Sequence, residues 1–134
     1  MPLFNDYYER YYHEVRDIVR PDPLARQIVK GAVNRGAQVV LATNPVFPRE
    51  AIEQRMQWAG IADLPWKLVT SYEDTHFCKP NIEYYAEILE RIGARPEECL
   101  HIGNDMDEDF AAAKLGIRVA IVEDCLINPQ NRSL

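Results

Sequence analysis

Positive charge is in short supply in this sequence. Its 134 residues carry 15 lysines and arginines against 21 aspartates and glutamates, a formal balance of −6. A phosphate-backbone partner needs a basic face, so nucleic acid is excluded as the expected ligand. Long apolar runs are absent too: none approaches the roughly 20 residues that span a bilayer. The first residues, Met1-Pro2-Leu3-Phe4-Asn5-Asp6, have neither the positive start nor the apolar stretch of a secretory leader. Cysteine is scarce, odd in number and scattered, at Cys78, Cys99 and Cys125, which gives no disulfide frame and no zinc spacing. His13, His76 and His101 also lack ligand spacing and read as core or surface residues. There is no internal repeat and no low-complexity tract. These absences leave a cytoplasmic globular domain with no nucleic-acid or membrane partner, and its 47% hydrophobic content suffices for a real core.

What is present is a unit repeated in kind: an amphipathic helix, a glycine, then a short apolar strand. Asp22 and Pro23 make an N-cap and N1 pair. Leu24, Ile28, Val29, Ala32 and Val33 follow as an apolar stripe, and Gly36 closes the helix before a strand at 38–43. A second helix from Pro48 buries Ile52, Met56 and Ala59, and a weaker strand spans 66–70. A third helix from Asn81 turns Ile82, Tyr85, Leu89 and Ile92 inward, followed by a strand at 99–102. A short alanine-rich helix at 107–115 and a strand at 118–122 complete the series. Such alternation predicts an open α/β fold with parallel strands and helices covering the sheet. Phe4, Tyr8, Tyr11, Val15 and Ile18 place a separate helix before Pro21, and residues beyond Asp124 read as a surface tail.

In an open α/β sheet, ligands bind beyond the carboxyl ends of the strands. Three strand ends here carry chemistry. The first ends in Thr43-Asn44, the second leads to Lys79, and the third ends in Gly103-Asn104-Asp105 with Asp109 behind it. The Thr43 hydroxyl and the Asn44 backbone N–H are donors for a phosphoryl oxygen. Lys79 is a compact positive charge for a transferring phosphoryl group. Asn104, Asp105 and Asp109 offer the oxygens that magnesium prefers. Each group alone also suits a plain structural role. Asp107 and Glu108 fit the helix macrodipole and stay outside the site.

The ordered set carries a family likeness. Val39-Val40-Leu41-Ala42-Thr43-Asn44 resembles the second motif of the haloacid dehalogenase superfamily, and Phe77-Cys78-Lys79-Pro80-Asn81 resembles the third. Leu100-His101-Ile102-Gly103-Asn104-Asp105, continuing through Asp109 to Gly116-Ile117, resembles the fourth. The resemblance covers about residues 22–127. It implies a Rossmann-like three-layer α/β/α core at 21–134 and the end of a helical cap segment at 1–20. It implies a magnesium-dependent phosphatase, a hydrolase of a small phosphorylated metabolite. In it Thr43 and Asn44 bind the phosphoryl group, Thr43 and Lys79 serve catalysis, and Asn104, Asp105 and Asp109 hold or orient Mg2+. Asn104 stands where the family commonly has aspartate, so which of Asn104 and Asp105 ligates the metal stays open.

The first motif, a strand ending in Asp-x-Asp whose first aspartate attacks phosphorus, has no counterpart in this sequence. The family places that strand centrally, and at about 4.8 Å between strands its removal leaves a gap near 10 Å. The expectation is a truncated chain, inactive alone and open to self-association. Two alternatives stand beside it: a non-catalytic phosphate- or partner-binding module, and one half of a split enzyme.

Overall fold

A computed structural model describes residues 2–133. The chain divides into two compact units, Met1–Asp74 and Thr75–Leu134.

The first unit opens with α1 (Pro2–Arg10) and a 3-10 helix, Tyr12–Ile18. The predicted single inward face shifts here. Tyr8 and Tyr12 are buried against Ala51, with Val15, Phe47 and Trp58 around them, while Tyr11 and Ile18 are exposed. The change from α to 3-10 winding resets the angular register after Arg10, so counting in steps of 3.6 residues fails beyond it. Helix α2 (Pro23–Asn34) starts as expected: the Asp22 carboxylate accepts the Leu24 N–H at 2.9 Å, and Pro23 follows at N1. Its apolar stripe is only partly covered. Leu24 and Ile28 are about half exposed, and no α2 residue is fully buried.

Strand β1 (Val39–Leu41) pairs in parallel with β2 (Trp66–Val69), with α3 (Arg49–Trp58) between them in sequence. Ile52, Met56 and Ile61 form the core of this half, packed by Leu41, Ala59, Leu64, Trp66 and Val69. Arg26 of α2 ties the loop after α3 down. It donates to both carboxylate oxygens of Asp63, at 2.6 and 2.8 Å, and to the Gly60 carbonyl at 2.6 Å. That hydrogen bonding lowers the Asp63 carboxyl to about 2. The charged form is favoured, so an NMR titration is expected to find Asp63 ionising near 2. In Arg26→Ala its midpoint rises towards the ordinary aspartate range. An unmoved midpoint refutes the pairing.

The second unit holds α4 (Ile82–Ile92), then β3 (Leu100–Gly103) in parallel with β4 (Arg118–Ile121). Gly93 ends α4 with φ of 65°, a left-handed cap that a side chain disfavours. The buried face of α4 is Tyr84, Tyr85 and Ile88; Ile82, expected inside, is 39% exposed. The alanine-rich segment is a 3-10 helix, Phe110–Leu115, with Ala111 and Ala112 buried. Its six residues are too few for a stable α-helix, and the tighter winding suits a short connector.

The tail expected beyond Asp124 is fastened instead. Ile127 N–H donates to the Asn104 carbonyl at 2.8 Å, and Met106 N–H donates to the Ile127 carbonyl at 2.9 Å, forming an isolated parallel bridge with Asp105. Backbone groups form this strap, which is why apolar counting misses it. The four strands thus lie in two parallel pairs. No helix among the described residues is long and apolar enough to cross a membrane.

Candidate functional site

The chemistry named from sequence sits at strand ends, as an open α/β fold requires. In the first unit, Thr43 and Asn44 come just after β1, beyond Ala42, and are half-buried. A fully buried residue fixes them: Thr70, at the end of β2, donates its hydroxyl to the Thr43 carbonyl at 2.6 Å. Sequence reading passed over Thr70. A hydroxyl at the end of a strand, next to a second hydroxyl at Ser71, was the available signal. A cavity of about 460 Å³ in this unit reaches Thr43 and is lined by Tyr12, Leu41, Arg55 and Trp58 among others.

In the second unit, Lys79, Asn104, Asp105 and Asp109 come together around one carboxylate. Asp109 is 4% exposed. Its Oδ1 accepts from Lys79 Nζ at 2.6 Å and from His101 Nε2 at 2.9 Å. Its Oδ2 accepts the backbone N–H groups of Asn104 at 2.9 Å and Asp105 at 3.0 Å. A carboxylate offers about four acceptor directions, and here four donors fill them. Burial pushes the Asp109 carboxyl up, but hydrogen bonds from His101 and Lys79, the Lys79 charge and the Asp105 N–H outweigh it. The net result lies far below the usual aspartate range.

The carboxylate lies directly on Gly103. A Cβ at that position would stand 2.2 Å from Asp109 Cγ, so only glycine admits it. Lys79 is equally enclosed, with its side chain 9% exposed and its Nζ 5.9 Å from the centre of the Tyr84 ring.

The loop 104–108 turns on Asp105, whose Oδ1 accepts the N–H groups of Asp107 and Glu108, both at 2.8 Å. The Asn104 amide donates to the Cys125 carbonyl at 2.8 Å, which ties the strap to the loop. Tyr85 closes the far side by donating its hydroxyl to the Glu108 carbonyl at 2.5 Å. Burial raises the Tyr85 phenol strongly, and the negative Asp109 adds to the effect, so the hydroxyl remains a donor.

For magnesium, donor chemistry divides the three expected residues. Asp109 has spent its acceptor capacity within the protein. Asn104 Oδ1 and Asp105 Oδ2 take no hydrogen bond among the described residues, and both suit a hard cation that completes its shell with water. They make a partial donor set. Among the described residues, no three His, Cys, Asp or Glu side chains form a group that holds a metal.

The structure thus joins parallel α/β strands to a lysine locked onto a glycine-backed carboxylate. The chain belongs to the haloacid dehalogenase-like hydrolases, whose family model matches residues 3–116. It is 28% identical over 103 residues to a glyceraldehyde 3-phosphate phosphatase of Methanothermobacter thermautotrophicus, covering 76% of this chain and 44% of that protein. It is 22% identical over 116 residues to the pyrophosphatase PpaX of Halalkalibacterium halodurans, covering 86% of this chain and 53% of that protein. The fold matches a HAD phosphatase from Thermococcus onnurineus with a TM-score of 0.75 at 17% identity, over 92% of this chain and 56% of that one. The fold is therefore the Rossmann-like α/β fold of this family. The chain spans about half the length of these relatives.

Proposed function

We propose that these residues are the phosphate- and magnesium-binding part of a phosphomonoester hydrolase that acts on a small phosphorylated metabolite. The observation that carries this is the buried Lys79–Asp109 pair, 2.6 Å long, at the mouth of the Gly103-Asn104-Asp105 loop. An ammonium held at fixed position in a dry setting is a preorganised partner for phosphoryl charge. Thr43 and Asn44 serve as donors to the phosphoryl oxygens, in a segment braced by Thr70. Asn104 and Asp105 supply oxygens to Mg2+, while Asp109 orients both their backbone and Lys79. When bound, the metal supplies charge neutralisation to the phosphoryl group. Relatives that are phosphatases of glyceraldehyde 3-phosphate and of pyrophosphate support a small phosphorylated substrate. Residues 1–20 are read as the end of a cap segment.

The Asp105-x-Asp107 pair follows a strand but lies after Lys79 and fits the fourth motif, so no strand ahead of Thr43 ends in Asp-x-Asp and the covalent step lacks its nucleophile within these 134 residues. The half-exposed Leu24 and Ile28 of α2 and the exposed Leu100 and Ile102 of β3 support a further strand packed beside these elements. The expected result for the 134-residue chain is little or no turnover of p-nitrophenyl phosphate with magnesium. Adding a peptide that carries an Asp-x-Asp strand is expected to raise it. Robust magnesium-dependent turnover by the chain alone, abolished in Lys79→Ala, overturns the reading that it is inactive alone. If the peptide adds nothing and the chain still binds inorganic phosphate, the non-catalytic binding module takes its place.

A further inference from the structure

His101 lies within the string that resembles the fourth motif but carries no role there, yet it touches the centre of the site. On β3, residues alternate between faces. Leu100 and Ile102 point one way and are 57% and 48% exposed, while His101 and Gly103 are more enclosed. Asp109 stands over the second face, resting on Gly103 and meeting the imidazole at 2.9 Å. A carboxylate held ionised is an acceptor only, so the His101 nitrogen that faces it carries the hydrogen. That fixes the proton on Nε2.

The ring is fixed as well. Tyr85 packs edge-on against it, with centroids 5.4 Å apart at 75°, and is itself tied to the Glu108 carbonyl. The imidazole therefore approaches Asp109 Oδ1 from a set direction and shares that oxygen with Lys79. Two donors on one oxygen constrain where the second can stand. Without His101, one acceptor direction of Oδ1 opens, the carboxylate gains rotational freedom, and the ammonium follows it.

We propose that His101 is a positioning residue: its Nε2–H holds Asp109 Oδ1 and thereby sets where Lys79 Nζ stands for the phosphoryl group. The functional half rests on the reading of Lys79 given above, whereas the contact itself does not. Filling volume beside Tyr85 is the rival role, and an apolar side chain performs it equally well. Glutamine separates the two, since its side-chain amide offers an N–H at similar reach.

The test uses the whole 134-residue chain, isotope-labelled, as wild type, His101→Gln and His101→Phe, with His101→Met as a second apolar variant should phenylalanine not fit. Long-range proton–nitrogen spectra are expected to show the Nε2–H tautomer at His101. The Lys79 ammonium resonance should shift or broaden in the apolar variants and return in His101→Gln. Inorganic phosphate, with magnesium present, is expected to bind about tenfold more weakly to the apolar variants and within about twofold of wild type to His101→Gln. An Nδ1–H tautomer, or an apolar variant that keeps both the Lys79 resonance and phosphate affinity, overturns the proposal, as does glutamine behaving like phenylalanine. A wild-type chain that binds no phosphate overturns the phosphoryl reading, and the functional half with it. The Lys79 resonance across the same variants still decides the contact, so the two failures stay distinct.

Discussion

Asp109→Ala is expected to lower the free energy of opening the β3–β4 unit by about 3–5 kcal/mol. The substitution removes the carboxylate paired with a lysine whose side chain is 9% exposed, and with it the acceptor shared by His101 and two backbone N–H groups. Breaking a buried ion pair from one side is among the most destabilising changes a domain can suffer, in a molecule whose whole stability is about 5–15 kcal/mol. Both tryptophans, Trp58 and Trp66, lie in the first unit, so their fluorescence is the wrong probe. Amide exchange at β3 and β4 reads the loss directly.

Acid supplies a second signature. The Asp109 carboxyl lies below its ordinary value when folded, so the folded state favours the ionised form. Its contribution is therefore complete above the unfolded value of about 3.9 and is lost as pH falls from there through the lower folded value. The gap between wild type and Asp109→Ala should be constant at neutral pH and narrow below about pH 4. A variant within about 1 kcal/mol of wild type at neutral pH means the pair is not buried as described. Replacing both partners, as Lys79→Met with Asp109→Leu, is expected to cost less than Asp109→Ala alone, because neither charge of the pair remains.

The fold was legible in sequence where local chemistry decides it. Asp22-Pro23 announces a helix start, and Gly93 announces a stop, because each acts on its own backbone. Faces were harder. Around Arg10 the winding changes, and on α4 the inward set is Tyr84, Tyr85 and Ile88 instead of one containing Ile82. Hydropathy ranks tyrosine below isoleucine, yet Tyr84 lies beside Lys79 Nζ and Tyr85 beside His101, positions that reward an aromatic ring with polar neighbours.

The site's parts were legible and its connections were not. Lys79 and Asp109 are thirty residues apart, and nothing local says that one oxygen takes both lysine and histidine. His101 in an apolar strand reads as core until the period of two is carried to Gly103. Only then does a histidine share its face with a glycine that must leave room for something. The strap at Ile127 is less legible still, since its bonds are made by backbone that every sequence possesses.

Gly103→Ala is expected to do nearly as much damage as deleting the carboxylate, about 3 kcal/mol, at the upper end of what one added methyl group does in a packed site. The added carbon would sit 2.2 to 2.5 Å from three atoms of Asp109. Those distances lie far inside contact, and the obstructing side chain is not free to swing away. Four hydrogen bonds hold it, so relief requires breaking several of them at once. The loss therefore has the same origin as removing the whole Asp109 side chain in Asp109→Gly, and the two should not add. In an Asp109→Gly background all three obstructing atoms are gone, and Gly103→Ala is expected to cost less than about 0.5 kcal/mol. A double-mutant cycle on β3 amide exchange thus predicts a coupling close to the whole single-mutant effect. Additive losses indicate instead that Gly103 is needed for its own backbone, and that Asp109 does not rest on it.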